Sequence, residues 1–262
     1  MQAVRKKMHT FAGRHASGGC RRQRTKHFSD KMKKLITLSI ILLLCVCSLP
    51  AQTYRRSVSI LGDSYSTFRS YLEPDTNEVW YPQETAARND VQRVEQTWWH
   101  LLLKDYGLRL CKNNSYSGST VSTTGYRKED YTQRAFITRM DNLGCPDLIL
   151  IFGATNDSWA GSPIGEYKYA DWTKEDLKQF RPAMAYMLDY MTRRYVNVDI
   201  CFILNSELKD TIDESVRTLC AHYGVDLLEL HDIDKQAGHP SVEGMKAIAE
   251  QVARHLKLKK TK

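Results

Sequence analysis

Glycine and proline are sparse in this 262-residue chain, 14 and 7, and no segment repeats another, which excludes a collagen, a solenoid and a low-complexity linker. None of the seven cysteines forms a C-x-x-C pair, no two histidines stand four apart, and there is no Cys-His cluster, so no metal site is expected. G-x-S-x-G is missing as well, which argues against the α/β-hydrolase fold. No apolar run reaches the roughly 20 residues a membrane-spanning helix needs. What is present, 42% hydrophobic and 10% aromatic residues with 26% charged, fits a globular protein.

The formal charge of +8 is confined to one end. Residues 1–34 hold eleven of the 38 lysines and arginines and a single acid, Asp30, whereas the chain from Gln52 carries 27 basic and 29 acidic residues. A basic protein of this distribution gives no reason to expect a nucleic-acid partner. Residues 35–49, LITLSIILLLCVCSL, form a fifteen-residue apolar run behind Lys33 and Lys34 and ahead of Pro50 and Ala51. That pattern predicts a signal peptide cleaved near Ala51, with residues 1–31 an overextended start or a long basic leader, an exported product, and no stable membrane insertion after cleavage. Two regions follow: an N-terminal extension and signal peptide over 1–51, and a single domain over 52–262, long enough for a full core. Its four cysteines, Cys111, Cys145, Cys201 and Cys220, are too few for a disulfide scaffold and are expected as buried free thiols.

Within 52–262, apolar runs at 57–61, 108–112, 147–152, 198–204 and 225–230 alternate with helical patterns at 97–106, 128–142, 173–194, 211–223 and 241–257. Such alternation predicts a parallel sheet with helices on both faces. Thr173 is the expected cap of the 173–194 helix, in which Leu177, Phe180, Met184, Met187, Leu188 and Met191 trace an apolar stripe and Pro182 is expected to kink the axis. Residues 69–96 and 158–172, rich in Tyr, Trp, Pro, Gly and Asn, break the alternation. Each follows the carboxyl end of a strand, the edge where open α/β sheets bind ligands, so Trp80, Tyr81 and Trp159 are candidate substrate contacts.

The same edge gathers reactive residue types. Strand 57–61 runs into Gly62-Asp63-Ser64, which places a serine hydroxyl on a tight turn at the expected start of a helix, with Asp63 beside it as a possible substrate contact. The second strand leads to Gly118, whose N–H can approach an anion closely, and the third to Gly153-Ala-Thr-Asn156-Asp157, which supplies a side-chain amide. Prepositioned donors of this kind stabilise a developing oxyanion. After the last strand, His231-Asp232-Ile-Asp234-Lys-Gln236-Ala-Gly-His239-Pro240 precedes the final helix, and His239 can serve Ser64 as base.

These four blocks, in this order and spanning residues 57–256, resemble the SGNH, or GDSL-like, hydrolase and esterase superfamily. The resemblance implies an α/β fold, a three-layer α/β/α sandwich around a five-stranded parallel flavodoxin-like sheet, and ester hydrolysis through an acyl-serine. It implies Ser64 as nucleophile, His239 as base, and the Ser64 N–H, the Gly118 N–H and the Asn156 amide as oxyanion hole, with no cofactor. One departure stands out. The family usually carries an aspartate three residues before the histidine, where this chain has Gln236; Asp234, Asp232 or a backbone carbonyl remain as orienting groups, and Asp234 is weakly preferred. Relatives also often carry glycine where this chain has Ala154. Removing an orienting acid cost roughly 10⁴ in rate in one well-studied triad. The expected activity is removal of a small acyl group, acetyl for example, from a carbohydrate or similar small polar substrate. The alternatives are a glycan-binding protein on an impaired hydrolase scaffold, or a lipase.

Overall fold

The computed structural model describes Phe28, residues 31–40 and residues 54–261. The chain divides into two units, Met1–Tyr54 and Arg55–Lys262. In the first, residues 31–40 are helical, and among the described residues no helix is long and apolar enough to cross a membrane. Most of the apolar run and the expected cleavage point at Ala51 lie outside the described residues.

The second unit is built on five strands: β1 (Ser57–Gly62), β2 (Arg109–Ser115), β3 (Leu148–Gly153), β4 (Asp199–Leu204) and β5 (Asp226–Glu229). All pair in parallel, in the order β2-β1-β3-β4-β5. β1 and β3 are buried along their whole length; β3 accordingly reads as an unbroken apolar run, while β1 interleaves Ser57 and Ser59, whose hydroxyls donate to the Asp147 carboxylate and the Leu143 carbonyl. Alternate residues of the central strands feed two cores. Ile149 and Ile151 join Phe180, Met184, Met187 and Met191 on one face, and Leu148, Leu150 and Phe152 join Trp98, Trp99, Met245 and Ile248 on the other. The result is the three-layer α/β/α sandwich with a flavodoxin-like sheet.

The covering helices are α1 (Trp98–Asp105), α2 (Phe136–Arg139), α3 (Thr155–Ala160), α4 (Phe180–Arg194), α5 (Asp210–Tyr223) and α6 (Val242–His255). Several depart from expectation. The 128–142 segment is α-helical only over Phe136–Arg139; at its start Arg127 and Lys128 adopt positive φ and Gly125 turns the chain. Thr173 does not cap α4; it caps a separate short turn by exchanging hydrogen bonds with Asp176, and α4 begins at Phe180. Pro182 therefore falls in the first turn, where a missing N–H costs nothing, and produces no kink. Residues 155–160, partly assigned to a loop, form α3 instead. Cys201 and Cys220 are buried free thiols, but Cys111 is half-buried and Cys145 exposed.

Candidate active site

Ser64 stands two residues beyond β1. Gly62 is needed there because a Cβ would come within 2.5 Å of Ser115 Oγ and 2.7 Å of Ser66. Ser64–Ser66 form a single 3-10 turn rather than the expected helix, with Asp63 Oδ1 accepting the Tyr65 N–H at 3.0 Å. So short a turn offers little dipole, and the serine depends on its neighbours for activation. Asp63 is wholly buried, which removes it from the substrate contacts expected of it. Burial pushes its carboxyl up to about 7, against the pull of the Tyr65 N–H and of the Arg139 charge.

His239 reaches Ser64 from the far end of the chain. Lys235–Gln236 (β6) and His239–Pro240 (β7) pair as a minimal antiparallel hairpin whose two turn residues, Ala237 and Gly238, have φ of 49° and 75°. Two positive φ values mark the turn that suits a two-residue hairpin. It folds the Ala237 carbonyl back onto His239 Nδ1 at 3.1 Å, while Nε2 lies 2.9 Å from Ser64 Oγ. A carbonyl only accepts, so Nδ1 carries the ring proton and Nε2 is free to accept from the serine hydroxyl. Burial holds His239 down at about 4, opposed by the Ala237 carbonyl and assisted by Arg88, so the ring is neutral at ordinary pH.

Asp234 is not the orienting acid. Its carboxylate accepts from Ser241 Oγ, and its carbonyl from the Ser241 N–H at 3.1 Å, which commits it to the start of α6. Asp232 contacts the exposed His231. Gln236, in the place of the usual aspartate, has a structural role: its Oε1 accepts the Asp90 N–H at 2.9 Å, and Asn89 Nδ2 donates to the Gln236 and Pro240 carbonyls, both at 3.2 Å. The hairpin is thereby strapped to the 69–96 segment.

The expected donors lie at the same sheet edge. Asn156 stands in the first turn of α3 with its Oδ1 accepting from Tyr126 Oη at 2.8 Å, and among the described residues its buried Nδ2 has no partner. Asn205 Nδ2 donates to both Tyr65 Oη at 3.3 Å and Thr155 Oγ1 at 3.4 Å, tying the serine turn to α3. Gly118, at φ 75°, lies in the loop after β2, and the Tyr116 N–H donates to the Gly62 carbonyl at 3.1 Å. The buried Arg139 guanidinium donates to the carbonyls of Asn114 and Gly62 and to Ser119 Oγ, so one side chain holds the ends of β1 and β2 and the Gly118 loop together. Asp157 does the same for α3, with Oδ2 accepting the Val121 N–H at 2.7 Å; burial raises its carboxyl to about 7, opposed by the Val121 and Ser122 N–H groups.

Aromatic rings surround His239. Trp80 stacks on it at a centroid distance of 3.6 Å and 9°, with Tyr65 at 5.2 Å, Trp159 at 6.0 Å and Tyr81 at 6.3 Å. Tyr81 is fully buried with its hydroxyl on the Pro240 carbonyl at 2.8 Å, which rules it out as a substrate contact; Trp159 is 41% exposed and remains at the rim. Sequence reasoning missed Arg139, Tyr126 and Asn89; it left a backbone carbonyl open as the group orienting His239, and Ala237 supplies that carbonyl. Only Arg139 left a trace, as a lone cation in the mostly apolar run Ala135-Phe-Ile-Thr-Arg-Met140.

Comparison with known proteins identifies the family. Residues 56–256 match the family model described as GDSL-like lipase/acylhydrolase. The chain belongs to the GDSL-like lipase/acylhydrolase family. A solved structure described as a GDSL-like lipase from Bacteroides ovatus ATCC 8483 is 59% identical, with 78% of this chain and 99% of that chain covered and a TM-score of 0.75. A second GDSL-like lipase, from Bacteroides uniformis ATCC 8492, is 52% identical over 78% and 97% of the two chains, at a TM-score of 0.76. A carbohydrate esterase whose active site is described as showing divergent catalytic and non-catalytic binding functions shares the fold at 15% identity and a TM-score of 0.56, over 80% and 70% of the two chains. No curated protein matches the chain. As a GDSL-like family member, the protein is a hydrolase of the lipase and esterase group.

Proposed function

We propose that this family member is an exported serine esterase that removes a small acyl group, such as acetyl, from a carbohydrate or similar polar alcohol. The observation that carries the reading is the 2.9 Å contact between Ser64 Oγ and His239 Nε2, with Nδ1 held by a carbonyl in the tautomer that a general base requires. Ser64 Oγ bonds to the ester carbonyl carbon as its proton passes to Nε2. The carbonyl oxygen becomes an oxyanion and takes hydrogen bonds from Asn156 Nδ2 and from the Gly118 and Ser64 N–H groups, each worth about 3 kcal/mol by the best-measured precedent. His239 returns the proton to the departing alcohol oxygen, and water then hydrolyses the acyl-serine by the same route. These steps need no group beyond the chain's own.

The substrate class rests on the setting. Ser64 and His239 are 3% and 7% exposed inside an aromatic wall, which favours a short acyl chain, and the exposed Trp159 ring suits a sugar face. The fold shared with a carbohydrate esterase is in keeping with this. Export rests on the apolar run at 35–49 with its basic flank.

Turnover of p-nitrophenyl acetate by residues 52–262 tests the mechanism. Ser64→Ala is expected to lower kcat by at least about a thousandfold. Because the base must be neutral, the wild-type rate is expected to be lost only as pH falls through about 4 and to stay level above it, until other groups titrate. Equal rates for wild type and Ser64→Ala overturn the reading. A serine that ignores a fluorophosphonate while the protein still retains glycans on a column would establish the glycan-binding alternative.

A further inference from the structure

A catalytic histidine without a carboxylate partner must be held in place, and its positive form stabilised, by something else. The Ala237 carbonyl meets one need only in part: a single 3.1 Å contact sets which way round the imidazole lies but leaves its plane free to rock about the Cβ–Cγ bond. Among the four aromatic rings around His239, only Trp80 lies face to face with it, at 3.6 Å and 9°; Tyr65, Tyr81 and Trp159 stand at 56°, 81° and 72°. Rocking that would carry Nε2 off Ser64 drives the imidazole into the indole plane.

Trp80 is itself anchored to both partners. Its N–H donates to Thr67 Oγ1 at 2.9 Å, and Thr67 Oγ1 donates to the Ser64 carbonyl, also at 2.9 Å. The next residue, Tyr81, donates from its hydroxyl to the carbonyl of Pro240, the neighbour of His239. One dipeptide thus spans nucleophile and base. The face of an indole also carries negative potential and is the best aromatic partner for a cation. The charged and titratable groups around the ring do not supply that stabilisation: Arg88 lies 4.9 Å from the same Trp80 ring, Tyr65 and Tyr81 present phenols, Asp63 is sealed beneath the serine turn, and the hairpin's own Asp234 is engaged by Ser241. Arg88 is exposed, so solvent screens its opposition.

Building on the esterase reading, we propose that Trp80 is the positioning residue that takes over the work of the missing triad acid, fixing the plane of His239 and stabilising the imidazolium formed when Nε2 receives the Ser64 proton. This reassigns Trp80 from the substrate contact suggested by its place in the chain. The proton moves from Oγ to Nε2 as the Oγ–carbon bond forms, and Trp80 exchanges nothing; it acts on the charge alone.

Two sets of variants of residues 52–262 test this. In Trp80→Leu, kcat on p-nitrophenyl acetate, a substrate with no sugar to stack, is expected to fall at least tenfold (about 1.4 kcal/mol) with KM within roughly twofold, while Trp80→Phe recovers most of the loss. Replacing Trp80 by tryptophans carrying one to four ring fluorines keeps its shape and weakens the negative face stepwise. Log kcat is expected to fall with each fluorine, and the His239 pKa, followed by NMR of the resting enzyme, is expected to fall in step. Two results overturn the proposal: a change confined to KM for a glycan ester, which makes Trp80 a substrate platform, or a fluorine series that leaves both kcat and the His239 pKa unmoved. The NMR titration needs no turnover. If the wild type neither hydrolyses the ester nor reacts with a fluorophosphonate, the esterase reading fails, and the titration still decides whether the indole stabilises the ring.

Discussion

Tyr126 Oη donates to Asn156 Oδ1 at 2.8 Å, and that one bond turns the amide so that Nδ2 faces away from its holder. A buried donor without a partner costs about 1–3 kcal/mol, and such a cost persists where a ligand completes the bond. Among the described residues Asn156 Nδ2 is in that state, and on the esterase reading proposed above the oxyanion completes its bond. Asn156→Ala is accordingly expected to lower kcat on an acetyl ester by about 10²–10³ with little change in KM, and Tyr126→Phe, which loses only the aim, by about tenfold. Loss in KM alone for Asn156→Ala would place the amide in ground-state binding. Asp63 and Asp157, both raised to about 7 by burial, are structural in the same sense: each accepts backbone N–H groups that shape the turn beside a reactive residue.

Among the described residues, the shortest strands set the partner of His239 Nδ1. β6 and β7 are two residues each, yet their turn decides what faces His239 Nδ1. Gln236 pairs with His239 across the hairpin, and its side-chain oxygen accepts the Asp90 N–H, so the residue three positions upstream is committed to the 69–96 segment rather than to the ring. Asp234, meanwhile, supports the cap of α6: its carboxylate accepts from Ser241 Oγ while that oxygen accepts the Gly244 N–H at 3.2 Å. Asp234→Asn is therefore expected to keep kcat/KM within about threefold, far from the roughly 10⁴ lost with a true orienting acid, and to lower Tm by a few degrees through the weakened cap. A thousandfold loss of activity in a variant that remains folded would return Asp234 to the site.

Across the whole chain, charge and apolarity are divided between regions. The eleven basic residues of 1–34 and the run at 35–49 precede a region from Gln52 with nearly balanced charge, 27 against 29. If this leader is removed on export, N-terminal sequencing of the secreted protein is expected to read from close to Gln52, and the mature chain to be mildly acidic rather than basic. A mature product that retains residues before 45 refutes that processing. Within the second unit, the two cores on either face of the sheet hold the strands rigid while the reactive loops all emerge at the strands' carboxyl ends.

Much of this was legible in the order of residues alone. The alternation of apolar runs with amphipathic segments determined the layered α/β architecture, because a strand covered on both faces is largely apolar; each of the five strands overlaps one of the runs, although β2 extends past its run into the polar Asn113, Asn114 and Ser115. The GDS, Gly118, Asn156 and His239 blocks marked the reactive edge, because tight turns and prepositioned donors demand those residue types locally. Contacts between distant segments were not legible. The Ala237 carbonyl carries no side-chain signature, the burial of Asp63 and Tyr81 depends on what covers them, and Trp80 meets His239 from 159 positions away in the chain. Sequence specifies what each turn can do; which atom finally faces the imidazole is set only when the packed sheet brings remote loops to one edge, since backbone carbonyls and ring stacks are chosen by geometry and not by residue type.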